Sequence, residues 1–189
     1  AGLMAAEVLA AGGVAVTVYE RMPSVGRKFL LAGRGGLNLT HSEAIERFLS
    51  RYGTARPHLR GAIEAFTPGM LREWSAALGQ ETFVGTSGRV FPQAMKSSPL
   101  LRAWLHRLRS QGVRFHMRHR WVEGSTATSL TSPSTPREWV FETPHGRQTY
   151  SSAATVLALG GGSWARLGCD GAWVASLREL GVQVADLKP

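Results

Sequence analysis

The chain has 189 residues, 43% hydrophobic and 19% charged, a globular composition that excludes a disordered tail. Its 22 Lys and Arg against 13 Asp and Glu leave a net charge of +9. No basic run exceeds two residues, and arginines such as Arg102, Arg107 and Arg109 are scattered along an amphipathic pattern, so no nucleic-acid partner is expected.

One cysteine, Cys169, excludes an internal disulfide and a cysteine-based zinc site and suits a cytoplasmic setting. No apolar stretch approaches the roughly 20 residues that span a bilayer, so no membrane partner is expected. The chain opens without Met, directly inside a helical pattern over residues 1–11 that Gly12 and Gly13 close, from which a preceding segment is expected. VAVTVYE, residues 14–20, reads as a buried parallel strand ending on an acid. Residues 21–42 read as loop, and Ser42-Glu43 opens a helix through Leu49. Thr67 is placed to cap PGMLREWSAAL, with Pro68 at the first helical position and Gly79 as the stop. Ser98-Pro99 repeats the device for LLRAWLHRLRSQ, ended by Gly112. VRFHM at 113–117, RWVE at 120–123, EWVFET at 138–143 and RQTYS at 147–151 together suggest an antiparallel meander. Residues 124–136, GSTATSLTSPSTP, lack the apolar content to pack and predict a mobile loop. TVLALGGG at 155–162 reads as a buried strand with a glycine exit, followed by a helix N-capped by Asp170 and closed by Gly181. VQVADL begins a further strand, and there is no internal repeat.

A dinucleotide site of the Rossmann type needs a glycine turn, a helix whose N-terminus faces the pyrophosphate, and a second strand ending in an acid. Glu20 follows Gly2 by 18 residues, near the roughly 20-residue spacing from the glycine fingerprint to the carboxylate that binds a ribose hydroxyl. Gly2 would then be the last glycine of that fingerprint; alternatively Glu20 only ends a strand in solvent. The second glycine loop, Gly160 to Gly162 after an apolar run, favours a site, because bare backbone lets a phosphate or ring approach.

Three segments, GRKFLLAGRGGLNLTHSE, GRVFPQAMKSSPLLRAWLHRL and VLALGGGSWARLGCDGAWVASLRELGVQVADLKP, resemble in order those of the FAD-dependent oxidoreductases grouped with aminoacetone oxidase and the bile-acid reductase BaiN. The resemblance implies an α/β, glutathione-reductase-like FAD-binding domain of Rossmann type with a parallel sheet, a small antiparallel meander and its first strand missing. It implies that residues 1–189 are part of that domain, with residues 43–110 inserted between sheet strands and a substrate domain and final FAD segment outside the chain. Strand 14–19 and strand 155–159 would flank the missing strand. Carried over by position, it implies FAD contacts from Gly2, Glu20, Arg21, Gly26, Arg27, Lys28, Gly33, Arg34, Gly35, Gly36, Asn38, Thr40, Ala158, Gly160 and Gly161. Within residues 33–41 the family pattern G-G-G-R-C-N-x-T-N is kept at Gly33, Gly35, Asn38 and Thr40. Arg34, Gly36, Leu37 and His41 depart from it, and Leu37 in place of Cys argues against thiol chemistry. The implied activity is hydride transfer through flavin between NAD(P)H or a small organic substrate and an acceptor, with weak FAD binding and no activity by this chain alone. A tRNA-modifying flavoprotein and a non-catalytic dinucleotide-binding module are the alternatives. The catalytic residues, the substrate and the oligomeric state stay open.

Trp74, Trp104 and Trp173 fall at apolar helix positions and are expected in the core. His106, His116 and His119 lack ligand-like spacing with carboxylates, so no metal is assigned. His41 follows the flavin loop and is a candidate for proton transfer, with a polar loop residue as the alternative. Asn38-Leu39-Thr40 matches a glycosylation sequon but is read as backbone-pinning, and Cys169 as an ordinary thiol.

Overall fold

In the computed structural model, which describes residues 1–33, 35–124 and 137–187, the chain separates into two units. The first comprises Ala1–Val25 and Leu108–Pro189, the second Gly26–Arg107. Among the described residues no helix is long and apolar enough to cross a membrane.

The first unit starts with helix α1, Gly2–Ala11, built from alanine and other good helix formers. Gly12 and Gly13 end it, with Gly13 at φ +80, and the Val14 N–H folds back onto Leu9 O. That bond explains a correction to the strand expected over 14–20. Val14 is spent on closing the helix and is exposed, so strand β1 is confined to Thr17–Glu20. A second correction concerns strand β5, Arg114–Met117, which does not join the meander. It pairs in parallel with β1, Thr17 opposite Arg114 and Glu20 opposite Met117, after Gly112 at φ +82 has turned the chain. The antiparallel sheet consists of β6, Arg120–Gly124, β7, Arg137–Thr143, and β8, Gly146–Ser152. Tyr19 of β1 stacks on Phe141 at 4.6 Å and on His116 at 5.1 Å, so one aromatic cluster ties the parallel pair to the meander. Of the expected loop 124–136, residues 125–136 lie outside the described residues.

The strand expected over 155–162 is absent: these residues carry no ladder hydrogen bonds, and Val156 and Leu157 are exposed. The apolar pattern was present, but a strand needs a neighbour to take its N–H and C=O groups. Likewise 182–187 forms no strand, because its backbone is engaged by a side chain instead: Arg178 donates to Val184 O at 2.8 Å and to Asp186 Oδ1 at 2.6 Å. The helix expected to start beside Asp170 runs over Trp173–Glu179, with Ala172 at its N-cap position and no side-chain cap. Asp170 accepts from the Ala172 N–H at 3.2 Å, bracing the approach to the helix without being its N-cap.

In the second unit, residues 21–42 are not all loop. RKFLLA forms α2, Arg27–Ala32, entered through left-handed Gly26, and Thr40–His41 forms the short strand β2. The next helix, α3, is Ile45–Ser50 and starts later than Ser42-Glu43, because the Glu43 carboxylate is occupied by Arg51. Helix α4, Arg56–Ala65, was not anticipated, although Pro57 in its first turn and the Arg60–Glu64 pair four residues apart are its signals. Helix α5, Pro68–Ala77, is capped as expected, Thr67 Oγ1 accepting from the Met70 N–H at 3.2 Å. Strands β3, Thr82–Val84, and β4, Arg89–Pro92, also went unread; they complete an antiparallel sheet in the order β2-β4-β3. Helix α6, Ser97–Ser110, begins ahead of the expected Ser98-Pro99 start. Leu49 and Leu100 are fully buried, each contributing about 1.5–3 kcal/mol. Trp104 is buried edge-on to Trp74 at 4.9 Å, and Phe29 of α2 joins them.

Candidate functional site

In the first unit, α1 begins at Gly2, and its N-cap residue Ala1 provides no side-chain cap. A Cβ on Gly2 would lie 3.1 Å from the Ala158 Cβ, so glycine there permits close approach of the helix to segment 155–159. Close packing of this kind is what the third glycine of a dinucleotide fingerprint allows, the position expected for Gly2. Ala158 and Gly160 line a cavity of about 350 Å³ with Ala1, Leu157, Leu159, Trp173 and Leu177. The indole Nε1 of Trp173 is buried without an acceptor among the described residues. Gly160 is at φ +75, and a Cβ on it would meet the Cys169 Sγ at 2.8 Å. Gly161 has open space where a Cβ would be, among the described residues. A larger depression, about 710 Å³ along Arg178 and Gly181–Ala185, holds none of the expected residues.

The end of β1 carries the charged part of this unit. Glu20 Oε1 accepts from the Met22 N–H at 2.9 Å, which orients the carboxylate over its own turn. Arg21 donates to Asp170 at 2.9 Å, and this guanidinium, with the Ala172 N–H, holds the Asp170 carboxyl below its ordinary range. Gly168, at φ +90, packs on Met22, where a Cβ would meet Cγ at 2.9 Å. From the other side the Arg118 N–H donates to Met22 O at 3.2 Å and the His119 N–H to Glu20 O at 2.9 Å. Sequence reasoning named Glu20 and Arg21 but missed Met22, Arg118 and Gly168 and the pairing of Arg21 with Asp170. Only the glycine-flanked Cys169-Asp170 offered a signal.

In the second unit, a Cβ on Gly26, at φ +73, would meet Leu101 Cδ2 at 2.7 Å. Arg27 and Lys28 form the first turn of α2. Gly33 ends α2 against the start of α6: a Cβ there would lie 2.7 Å from the Ser97 Cβ and 2.9 Å from its backbone N, while Ser97 Oγ donates to Leu30 O at 3.2 Å. Arg34 lies outside the described residues. Gly35 has open space around its missing Cβ among the described residues, whereas Gly36, at φ +112, is covered by the Met95 methyl. Leu37, buried, donates its N–H to Met95 O, which accounts for an apolar residue at that point of the pattern. With its amide nitrogen turned inward, Asn38 donates to Thr40 O at 2.8 Å and to Val90 O at 3.3 Å. Thr40 is buried in the β2–β4 ladder opposite Val90.

His41 is held at both nitrogens, Nδ1 accepting from the Glu43 N–H at 3.2 Å and Nε2 donating to Ser87 O at 3.0 Å. The Nε2–H tautomer satisfies both partners, and the Glu43 carboxylate stands 3.6 Å from Nδ1, so the ring is anchored on both sides as a polar loop residue would be. Arg51, donating to Glu43, keeps that carboxyl below its ordinary value. Seven of the arginines, Arg21, Arg47, Arg51, Arg56, Arg60, Arg120 and Arg178, meet carboxylates. Among the described residues no cluster of His, Cys, Asp and Glu could hold a metal ion.

A helix start packed through glycine and an acid at the end of a parallel strand are parts of a Rossmann-type domain, and residues 1–187 match the HI0933-like protein Rossmann domain. The chain belongs to that family. This HI0933-like chain is also 28% identical over 179 residues to the 3-dehydro-bile acid delta(4,6)-reductase of Clostridium scindens, covering 94% of itself and 40% of that protein. Among solved structures it is similar to CabE, an aromatic hydroxylase from angucycline biosynthesis, at 19% identity and TM-score 0.46, covering 87% of this chain and 30% of that one. It is also similar to aklavinone-11 hydroxylase in complex with FAD and aklavinone, at 16% identity and TM-score 0.45, covering 87% and 32%. The HI0933-like chain thus spans less than half the length of these relatives. The α/β, Rossmann-type FAD-binding class expected from sequence is the class of the family, and the resemblance to BaiN-like flavoproteins agrees with it.

Proposed function

We propose that this chain forms the FAD-binding part of a flavin-dependent oxidoreductase acting between NAD(P)H and a small organic substrate or acceptor, in a cytoplasmic setting. The observation that carries the reading is the state of two glycines. At Gly26, Gly33, Gly36 and Gly160 a Cβ would collide with a neighbour, so the fold itself asks for glycine. At Gly35 and Gly161, as at Gly61 of α4, the space is open among the described residues, and of these only Gly35 and Gly161 lie in the glycine-rich loops. Bare backbone at those two loop positions leaves room for a group from outside the chain to approach. A flat, anionic dinucleotide suits such bare backbone.

The chain's own residues then divide the work. The first turn of α1 at Gly2 offers N–H groups and the positive end of the helix dipole to the pyrophosphate. Glu20, already oriented by the Met22 N–H, accepts from ribose hydroxyls. Trp173 lines the cavity beside Ala158 and Gly160, and its indole N–H, without an acceptor among the described residues, suits an oxygen-rich group. Arg27 and Lys28 supply positive charge, and Gly33 to Thr40 supply a strip of backbone pinned by Asn38. FAD, when bound, supplies two-electron hydride chemistry that no side chain offers. The substrate domain belongs to the part of the relatives' length that this chain does not match.

The test is anaerobic addition of NADH or NADPH to the flavin-loaded complete gene product. Loss of the oxidised-flavin absorbance is expected; a spectrum unmoved by either nucleotide overturns the oxidoreductase reading and leaves a binding module.

A further inference from the structure

We propose that Arg118 is a nucleotide-binding residue whose guanidinium lies against the adenosine half of the dinucleotide at Glu20. This rests on the FAD reading above.

Arg118 is one of two non-glycine residues at positive φ among the described residues, with φ 58; the other is Met95. A side chain in that conformation costs free energy that glycine would not, and strain of this kind gathers where a particular side chain is needed. The strained turn is fastened to the end of β1 by Arg118 N–H to Met22 O and His119 N–H to Glu20 O. Arg118 therefore stands beside the backbone of the residue that meets the ribose. Its side chain is exposed and makes no hydrogen bond or ion pair among the described residues. Arg21, the more obvious cation at this strand end, is neutralised by Asp170.

The ligand group follows from the division of the site. The first turn of α1 takes the phosphates, so the nucleoside is what remains for a group placed at Glu20. A guanidinium is planar and weakly hydrated and stacks on flat π-systems while its edge stays in water, which suits a purine face.

Arg118→Gly and Arg118→Asn, both compatible with positive φ, test the assignment in the complete gene product freed of flavin, with Glu20→Gln alongside. Calorimetric titration with ADP and with FAD is expected to show affinity about tenfold weaker in both Arg118 variants. The factor should be the same at low and high salt, whereas Tm of the glycine variant rises by about 2–4 °C. Unchanged affinity with the same rise in Tm overturns the proposal and leaves Arg118 as a strained turn. A loss that vanishes at high salt also overturns it, in favour of a phosphate contact. If the wild type binds and Glu20→Gln does not, while both Arg118 variants match the wild type, only the role of Arg118 fails. If the wild type binds neither ligand, the flavin reading fails and this inference with it.

Discussion

Replacing Gly33 and Gly35 separately with alanine distinguishes glycine required by the fold from glycine kept for a ligand. Gly33 sits at φ −85 and ψ 7, which alanine accepts, so the cost of Gly33→Ala is steric. Its new methyl would stand 2.7 Å from the Ser97 Cβ and 2.9 Å from the Ser97 backbone N, at the start of a 14-residue helix that has little freedom to retreat. Overpacking of this kind costs about 1–3 kcal/mol. Displacing Ser97 also strains its buried hydrogen bond to Leu30 O, a loss of about 1 kcal/mol. The sum, about 2–4 kcal/mol, corresponds to a fall in Tm on the order of 5–15 °C for a chain of this size. Gly35→Ala meets no atom within 4 Å and leaves Tm unchanged or up by about 1–3 °C, through a less flexible unfolded chain. Its effect appears when FAD is titrated into the complete gene product, as weaker binding with intact stability. Scanning calorimetry and flavin-fluorescence titration read the two quantities. The reasoning is refuted if Gly33→Ala melts with the wild type, or if Gly35→Ala binds FAD as tightly as the wild type.

His41→Ala removes two hydrogen bonds from the β2 turn and should cost about 1–2 kcal/mol in a urea melt while leaving the flavin spectrum and its pH dependence unchanged; a lost titration step would instead make His41 a proton carrier. The Asp170 carboxyl is depressed by Arg21, so its contribution to stability is present above the ordinary carboxylate pKa and is lost as pH falls through the folded value. Asp170→Asn should therefore flatten the acid limb of the Tm–pH curve, and an unaltered limb would show the pair to be inert. Gly160→Ala suffers both its positive φ and the Cys169 sulfur, so adding Cys169→Ala should recover the steric part and leave about 1–2 kcal/mol of backbone strain. Additive effects of the two changes in a double-mutant cycle would contradict the contact.

What was legible in the sequence is what depends on near neighbours. The Thr67-Pro68 cap is a three-residue hydrogen bond, and the stops at Gly12-Gly13, Gly79 and Gly112 are local turns, so all could be read in advance. Glu20 was legible because a β-branched run ending on an acid marks a strand end. Pairing was not: nothing within VRFHM says that its partner is β1 and not RWVE, and that choice is made by the turn at Gly112 and the ladder from Val16. RKFLLA hid between glycines as a six-residue helix whose stability comes from Phe29 against Trp104, a tertiary contact. The apolar run at 155–162 showed the converse, a strand pattern with no ladder. In the site, the Arg21–Asp170 pair joins residues 149 apart, and the positive φ of Arg118 has no sequence signature at all.

The most direct measurement is the flavin content of the purified complete gene product. The protein, denatured and its supernatant analysed by chromatography and absorbance, should release close to one FAD per chain, either as isolated or after incubation with FAD and gel filtration. A folded, monodisperse protein that remains colourless and releases no FAD after incubation would contradict the account.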